Sequence, residues 1–84
     1  ELIKNLKAKN FTEARKWVAK NSDIESTELF RKLYDKAIDY LEQASIPQLV
    51  LILAEYQYKA AFVADREINT MAALTEIMAQ LKFK

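Results

Sequence analysis

Apolar positions recur every three or four residues along most of the chain, the spacing of helices that each bury one face. Leu2, Ile3 and Leu6 share a face and predict a short first helix over about 1–8. Asn10 then offers a side-chain oxygen to the free N–H groups of a second helix, and Glu13, three residues on, completes a capping-box pattern. That helix, about 11–20, is expected to bury Phe11, Ala14, Trp17 and Val18 and to fold back on the first as a helical hairpin.

After the polar break Asn21, Ser22, Asp23, a third helix is predicted from near Ser26 to about Gln43. Leu29, Phe30, Leu33, Tyr34, Ala37, Ile38 and Leu41 form its broad apolar face. On the other side Glu28 precedes Lys32 by four residues and Arg31 precedes Asp35 by four, the spacing of supporting ion pairs. Ser45 and Gln48 then make an S-x-x-Q cap for a fourth helix, with Pro47 in the first turn, where its missing N–H leaves nothing unbonded. A fifth helix over about 66–82 has Asp65 as its cap and is expected to bury Ile68, Met71, Ala72, Met78 and Leu81.

The fourth helix departs from the one-face pattern. Residues 49–54 are apolar without interruption, yet a bilayer span needs roughly 20 such residues. At about 100° per residue, Ile46, Leu49, Val50, Leu53, Tyr56 and Ala60 gather on one side, while Leu51, Tyr58 and Phe62 form a second stripe nearly opposite. A helix apolar on two faces is either central in its domain or shared between domains. In a chain of 84 residues the shared reading is favoured, with Leu51, Tyr58 and Phe62 as a subunit interface.

Composition supports helices throughout. There is no glycine and one proline, and the length suits one domain. The fold class expected is all-α, a compact bundle of about five helices spanning residues 1–84. With no cysteine and no histidine the chain has no disulfide, no Ser-His-Asp triad and no ordinary zinc site. Without glycine it has no phosphate-cradling loop. It is not expected to be an enzyme or to hold a cofactor or metal. Asp35 and Asp39 stand one turn apart, but beside Lys32 and Lys36 they read as solvated charges. Trp17, at helical spacing with Phe11 and Val18, reads as core rather than as a stacking platform.

Net charge is +1, unevenly spread. Residues 1–21 carry six Lys/Arg against two Glu, and residues 22–45 carry three against six acids. The basic start reads as the wet face of helices; a nucleic-acid-binding reading would place Lys4, Lys7, Lys16 and Lys20 against phosphates. No apolar leader or spanning run is visible, so a soluble, cytoplasmic protein is expected. The chain opens on Glu1 rather than methionine, and the expectation is a piece of something longer.

LAEYQYKAAFVADREIN, residues 53–69, resembles without gaps the pattern LAE-x-x-Y-[RK], four residues, then AD-x-x-I, found near the end of replication factor C-type sliding-clamp loader small subunits. The matching residues are Leu53, Ala54, Glu55, Tyr58 and Lys59, then Ala64, Asp65 and Ile68, with Ala73 and Leu74 in the following helix. NLKAKNFTEARKWV looks like the helical hairpin that opens that domain, the ending resembles the T-even phage small subunit in length and layout, and the resemblance covers essentially the whole chain. The resemblance implies a C-terminal collar domain: an oligomerisation module that holds upstream ATPase subunits in a ring without itself hydrolysing ATP. It implies other clamp-loader subunits as partners in homo- and hetero-oligomers, indirect or weak contact with DNA, no membrane, and the cytoplasm of a bacterial host if phage-encoded. A free-standing helical adaptor that binds a protein partner is the alternative. The sequence departs from the family at Val63, where glycine is common; a β-branched residue resists positive φ, so the turn there must differ or be strained.

Overall fold

The computed structural model describes residues 2–84. Six α-helices follow in chain order: α1 (Leu2–Lys7), α2 (Phe11–Lys20), α3 (Ser26–Asp35), α4 (Ala37–Tyr40), α5 (Ile46–Ala60) and α6 (Arg66–Gln80), with a 3₁₀ turn over Gln43–Ser45. The fold is all-α. Among the described residues the sole β-type pairing is an isolated antiparallel bridge between Leu41 and Phe83.

α5 and α6 form the central antiparallel pair. Gln48 hydrogen-bonds Gln80 at one end (3.0 Å), and further along Asn69 Nδ2 donates to the Tyr56 carbonyl (3.1 Å). α3 packs on α5, and the α1–α2 hairpin packs on α6. Leu6, Phe30, Leu41, Leu49, Leu74 and Ile77 are the large side chains fully enclosed where these elements converge.

The first hairpin forms largely as its pattern predicts. Asn10 Oδ1 accepts from the Glu13 N–H at 3.1 Å. The box is not closed by Glu13, because the Asn10 N–H already donates to the Asn5 carbonyl (2.9 Å). That bond, with Lys9 N–H to Leu6 carbonyl (3.0 Å), is the paired six-to-one and five-to-two closure that ends a helix through a left-handed residue. The left-handed residue is Lys9, φ 57°, the sole positive φ among the described residues. Phe11 is 47% exposed rather than core, and Trp17 is half-buried.

The single third helix of the sequence reading is broken. Lys36 (φ −102°, ψ 7°) separates α3 from α4, and Leu41 turns extended to meet Phe83. A helix ending at Asp35 leaves its last carbonyls without helical partners, and the Tyr40 hydroxyl donates to one of them, Leu33, at 2.7 Å. Burial pushes the Tyr40 phenol far above its ordinary pKa. Tyr34, at the edge of the buried face of α3, is 47% exposed, and Ile38, beyond the break, is 66% exposed, so neither joins the core. Arg31 and Asp35 pair as expected (3.1 Å), and the Arg31 guanidinium lies over the Tyr34 ring.

Two further expectations change. Ser45 does not cap α5; its hydroxyl accepts from the Lys82 N–H at 2.9 Å, and Gln48 turns to Gln80. The buried face of α6 is centred on Ala73, Leu74 and Ile77, with Met71, Met78 and Leu81 beside them, so Ile68 falls on the far side and is 68% exposed. Asp65 caps α6 as predicted, accepting from the N–H groups of Glu67 (3.0 Å) and Ile68 (3.2 Å). The α5–α6 turn closes in right-handed conformation, Phe62 and Val63 both donating to the Lys59 carbonyl. Val63 has no positive φ, so the turn differs from one built on glycine and is unstrained.

Candidate functional site

α5 has a continuous hydrogen-bonded frame of fifteen residues, which makes its two faces rigidly opposed. Leu49, Ile52, Leu53, Tyr56 and Ala60 enter the core, and Val50, assigned to that face from its position, sits at the boundary with 40% exposure. On the other side Leu51 is 65% exposed, Tyr58 71% and Phe62 73%. The Tyr58 and Phe62 rings touch, their centroids 5.2 Å apart and tilted by 56°. Pro47, Val50, Ala54 and Ala61 are exposed beside them. At about 100° per residue these seven side chains occupy roughly a third of the helix circumference, and none is charged.

The stripe runs into a groove. Val50, Leu53, Ala54 and Gln57 of α5 face Phe30, Arg31 and Tyr34 of α3 across a hollow of about 280 Å³. Each large aromatic presents on the order of 150–250 Å², so Tyr58 and Phe62 together leave roughly 300 Å² exposed before the aliphatic residues are added. The whole patch therefore reaches the size of the largest apolar patch on a typical monomer, about 300–600 Å². It is not left by a poorly closed core: the accessible surface, 5464 Å², is near the roughly 5,200 Å² that size scaling gives a compact monomer of this mass.

The residues of the family-like motif divide by task. Leu53 is core and Asp65 is the α6 cap. Glu55 and Lys59 form an ion pair at 2.9 Å, with the Lys59 ammonium over the Tyr56 ring. Ala54 and Tyr58 belong to the exposed stripe, and Ala64 and Ile68 are exposed near the α5–α6 turn. Beneath the Glu55–Lys59 pair, Tyr56 donates its hydroxyl to Glu76 of α6. That hydrogen bond, aided by burial and by the carboxylates of Glu76 and Glu55, pushes the phenol up to about 12.

The basic residues do not assemble as the sequence order suggests. Lys16 pairs with Glu13 (3.4 Å), whereas Lys7 shares a hollow with Lys9, Lys82 and Lys84 from the other end of the chain. Asp35 is tied to Arg31 at the end of α3, and Asp39 lies in α4 beyond the break at Lys36. Among the described residues no three His, Cys, Asp or Glu side chains stand close enough to hold a metal ion together. No helix there is long and apolar enough to cross a membrane. Compared with protein-family models and with curated protein sequences, the chain matches none.

Proposed function

We propose that this chain is the collar domain of a replication factor C-type sliding-clamp loader small subunit, an oligomerisation module that holds ATPase subunits in a ring. The observation that carries the reading is the exposed apolar stripe of Leu51, Tyr58 and Phe62, set opposite a complete core face on the same helix. The order and spacing of the LAE and AD-x-x-I segments support it. A ring of like domains uses heterologous contacts, one face of each subunit against a different face of its neighbour, so the stripe meets another element's surface.

The test is Leu51→Asp combined with Tyr58→Asp in the full-length subunit. Both side chains are mostly exposed, so helical circular dichroism and the melting transition stay nearly unchanged. Truncating one central aromatic anchor typically weakens association by about 2 kcal/mol, roughly 30-fold, and a buried carboxylate is worse, so sedimentation shows the assembly lost. Intact assembly in the double variant sinks the reading.

A second groove favours the adaptor alternative. Leu2, Ile3, Trp17, Leu29 and Leu33 line an apolar hollow of about 280 Å³ with Lys32 and Lys36 on its rim. An adaptor using it would leave assembly indifferent to the α5 substitutions, and the lone tryptophan, Trp17, would report the partner by a fluorescence change.

A further inference from the structure

The two ends of the chain meet at one place. After α6 the backbone runs extended, pinned by three hydrogen bonds: Glu42 N–H to Lys82 carbonyl (2.9 Å), Lys84 N–H to Tyr40 carbonyl (3.0 Å) and Lys82 N–H to Ser45 Oγ (2.9 Å). Successive side chains of an extended segment point to opposite sides. Leu81 is buried, and Phe83 is half-buried with its ring stacked on Tyr40 at 6.0 Å. Lys82 and Lys84 are thereby left on the exposed side.

α1 ends beside them. Lys7 and Lys9 join Lys82 and Lys84 around an open hollow of about 380 Å³, floored by Leu81 and Phe83, with Glu42 the single carboxylate side chain on its lining. Among the described residues none of the four lysines is in an ion pair. The Lys84 ammonium donates to the Ile38 carbonyl at 2.7 Å, which orients it and leaves two of its three donors unused. Gathering four like charges is unfavourable for the fold. So is Lys9 itself, since a left-handed backbone is strained in any residue with a Cβ, and strain of this kind concentrates at functional positions.

We propose that this hollow binds the phosphodiester backbone of a nucleic acid, with Lys7, Lys9, Lys82 and Lys84 each placed to meet a phosphate. Lysine ammonium groups read charge rather than base identity, so binding is independent of sequence. A membrane surface fits less well, because the apolar side chains that line the hollow are held in the fold: Leu81 is enclosed and Phe83 is stacked on Tyr40. This site shares no residue with the α5 stripe and goes beyond the collar reading.

The experiment is fluorescence anisotropy of labelled single-stranded and duplex oligonucleotides of about 20 nucleotides titrated with the chain at several salt concentrations. Three to four phosphate contacts predict a duplex log–log salt slope near −3, a loss of about 40- to 150-fold in affinity between 50 and 200 mM salt. Lys82→Gln with Lys84→Gln should flatten the slope by about 2, and Lys9→Gly by about 1. Because Lys9→Gly also relieves the left-handed strain, its weaker binding should come with a higher melting temperature, which excludes misfolding as the cause. Leu51→Asp with Tyr58→Asp should bind as the parent does, so failure of the collar reading leaves this proposal standing. Equal losses from Lys16→Gln with Lys20→Gln, no binding at 50 mM salt, or binding to phosphatidylserine vesicles without binding to oligonucleotides would each overturn it.

Discussion

Glycine substitution at two helix ends should move stability in opposite directions. Lys9 and Val63 each follow a helix, but Lys9 is left-handed at φ 57° and Val63 is not. At Lys9 the left-handed backbone costs about 1–2 kcal/mol in a residue with a Cβ. Glycine removes that cost and gives back about 0.4–1 kcal/mol through the greater freedom of the unfolded chain. The net expectation for Lys9→Gly is a gain of about 0.5–1 kcal/mol, or roughly 2–8 °C in the melting temperature of a domain of this size. At Val63 there is no strain to relieve. Val63→Gly loses the same entropic term together with the burial of a half-covered valine, worth about 1 kcal/mol, and should lower the melting temperature by about 4 °C or more. Lys9→Ala is the control, because it removes the charge and keeps the Cβ; it should stay near the parent. Thermal melts followed by far-ultraviolet circular dichroism read all three. A destabilised Lys9→Gly, or a Lys9→Ala as stable as Lys9→Gly, would show that φ strain is not what that position carries.

Two further outcomes follow from the α5–α6 pair and the C-terminal segment. The Tyr56 phenol, held up to about 12 by its hydrogen bond to Glu76, keeps its proton in the folded state after the unfolded chain has lost it near pH 10. Its contribution is therefore complete below about pH 10 and is lost as pH rises toward 12; Tyr56→Phe should remove that part of the alkaline decline in melting temperature, and an unchanged decline would show the bond contributes nothing. Ser45→Ala leaves the partly buried Lys82 N–H without its acceptor and should cost about 1–3 kcal/mol, with faster amide exchange at Lys82 and Lys84 than in the parent.

Local signals were legible wherever a side chain bonds its own neighbourhood. Asn10 and Asp65 cap their helices because the N–H groups they satisfy lie two or three residues away. Ser45 carries the same signature and does something else, since a hydroxyl takes whichever N–H stands nearest, and the tertiary structure brings Lys82 to it. The periodic pattern across residues 26–43 reads as one helix, yet the chain breaks at Lys36 so that Leu41 can meet Phe83, a gain from 42 residues away that no local window contains. The absence of glycine is plain in the composition, but it does not say which residue takes the left-handed position in its place; the helix-ending geometry of α1 assigns that to Lys9.

The candidate sites divide along the same line. The stripe of Leu51, Tyr58 and Phe62 was visible because all three lie on one helix, and helical geometry alone places them together; the structure adds their exposure and the groove toward Tyr34. The lysine hollow was not visible, because Lys7 and Lys9 stand more than seventy residues from Lys82 and Lys84 in the chain. Sequence by itself determined the all-α class, the approximate helices and the two-faced α5, all consequences of short-range backbone bonding and periodic burial. Tertiary structure alone decided where the third helix breaks, which side of α6 is buried and which charges share a surface, because those depend on contacts between segments that only the folded packing brings within reach.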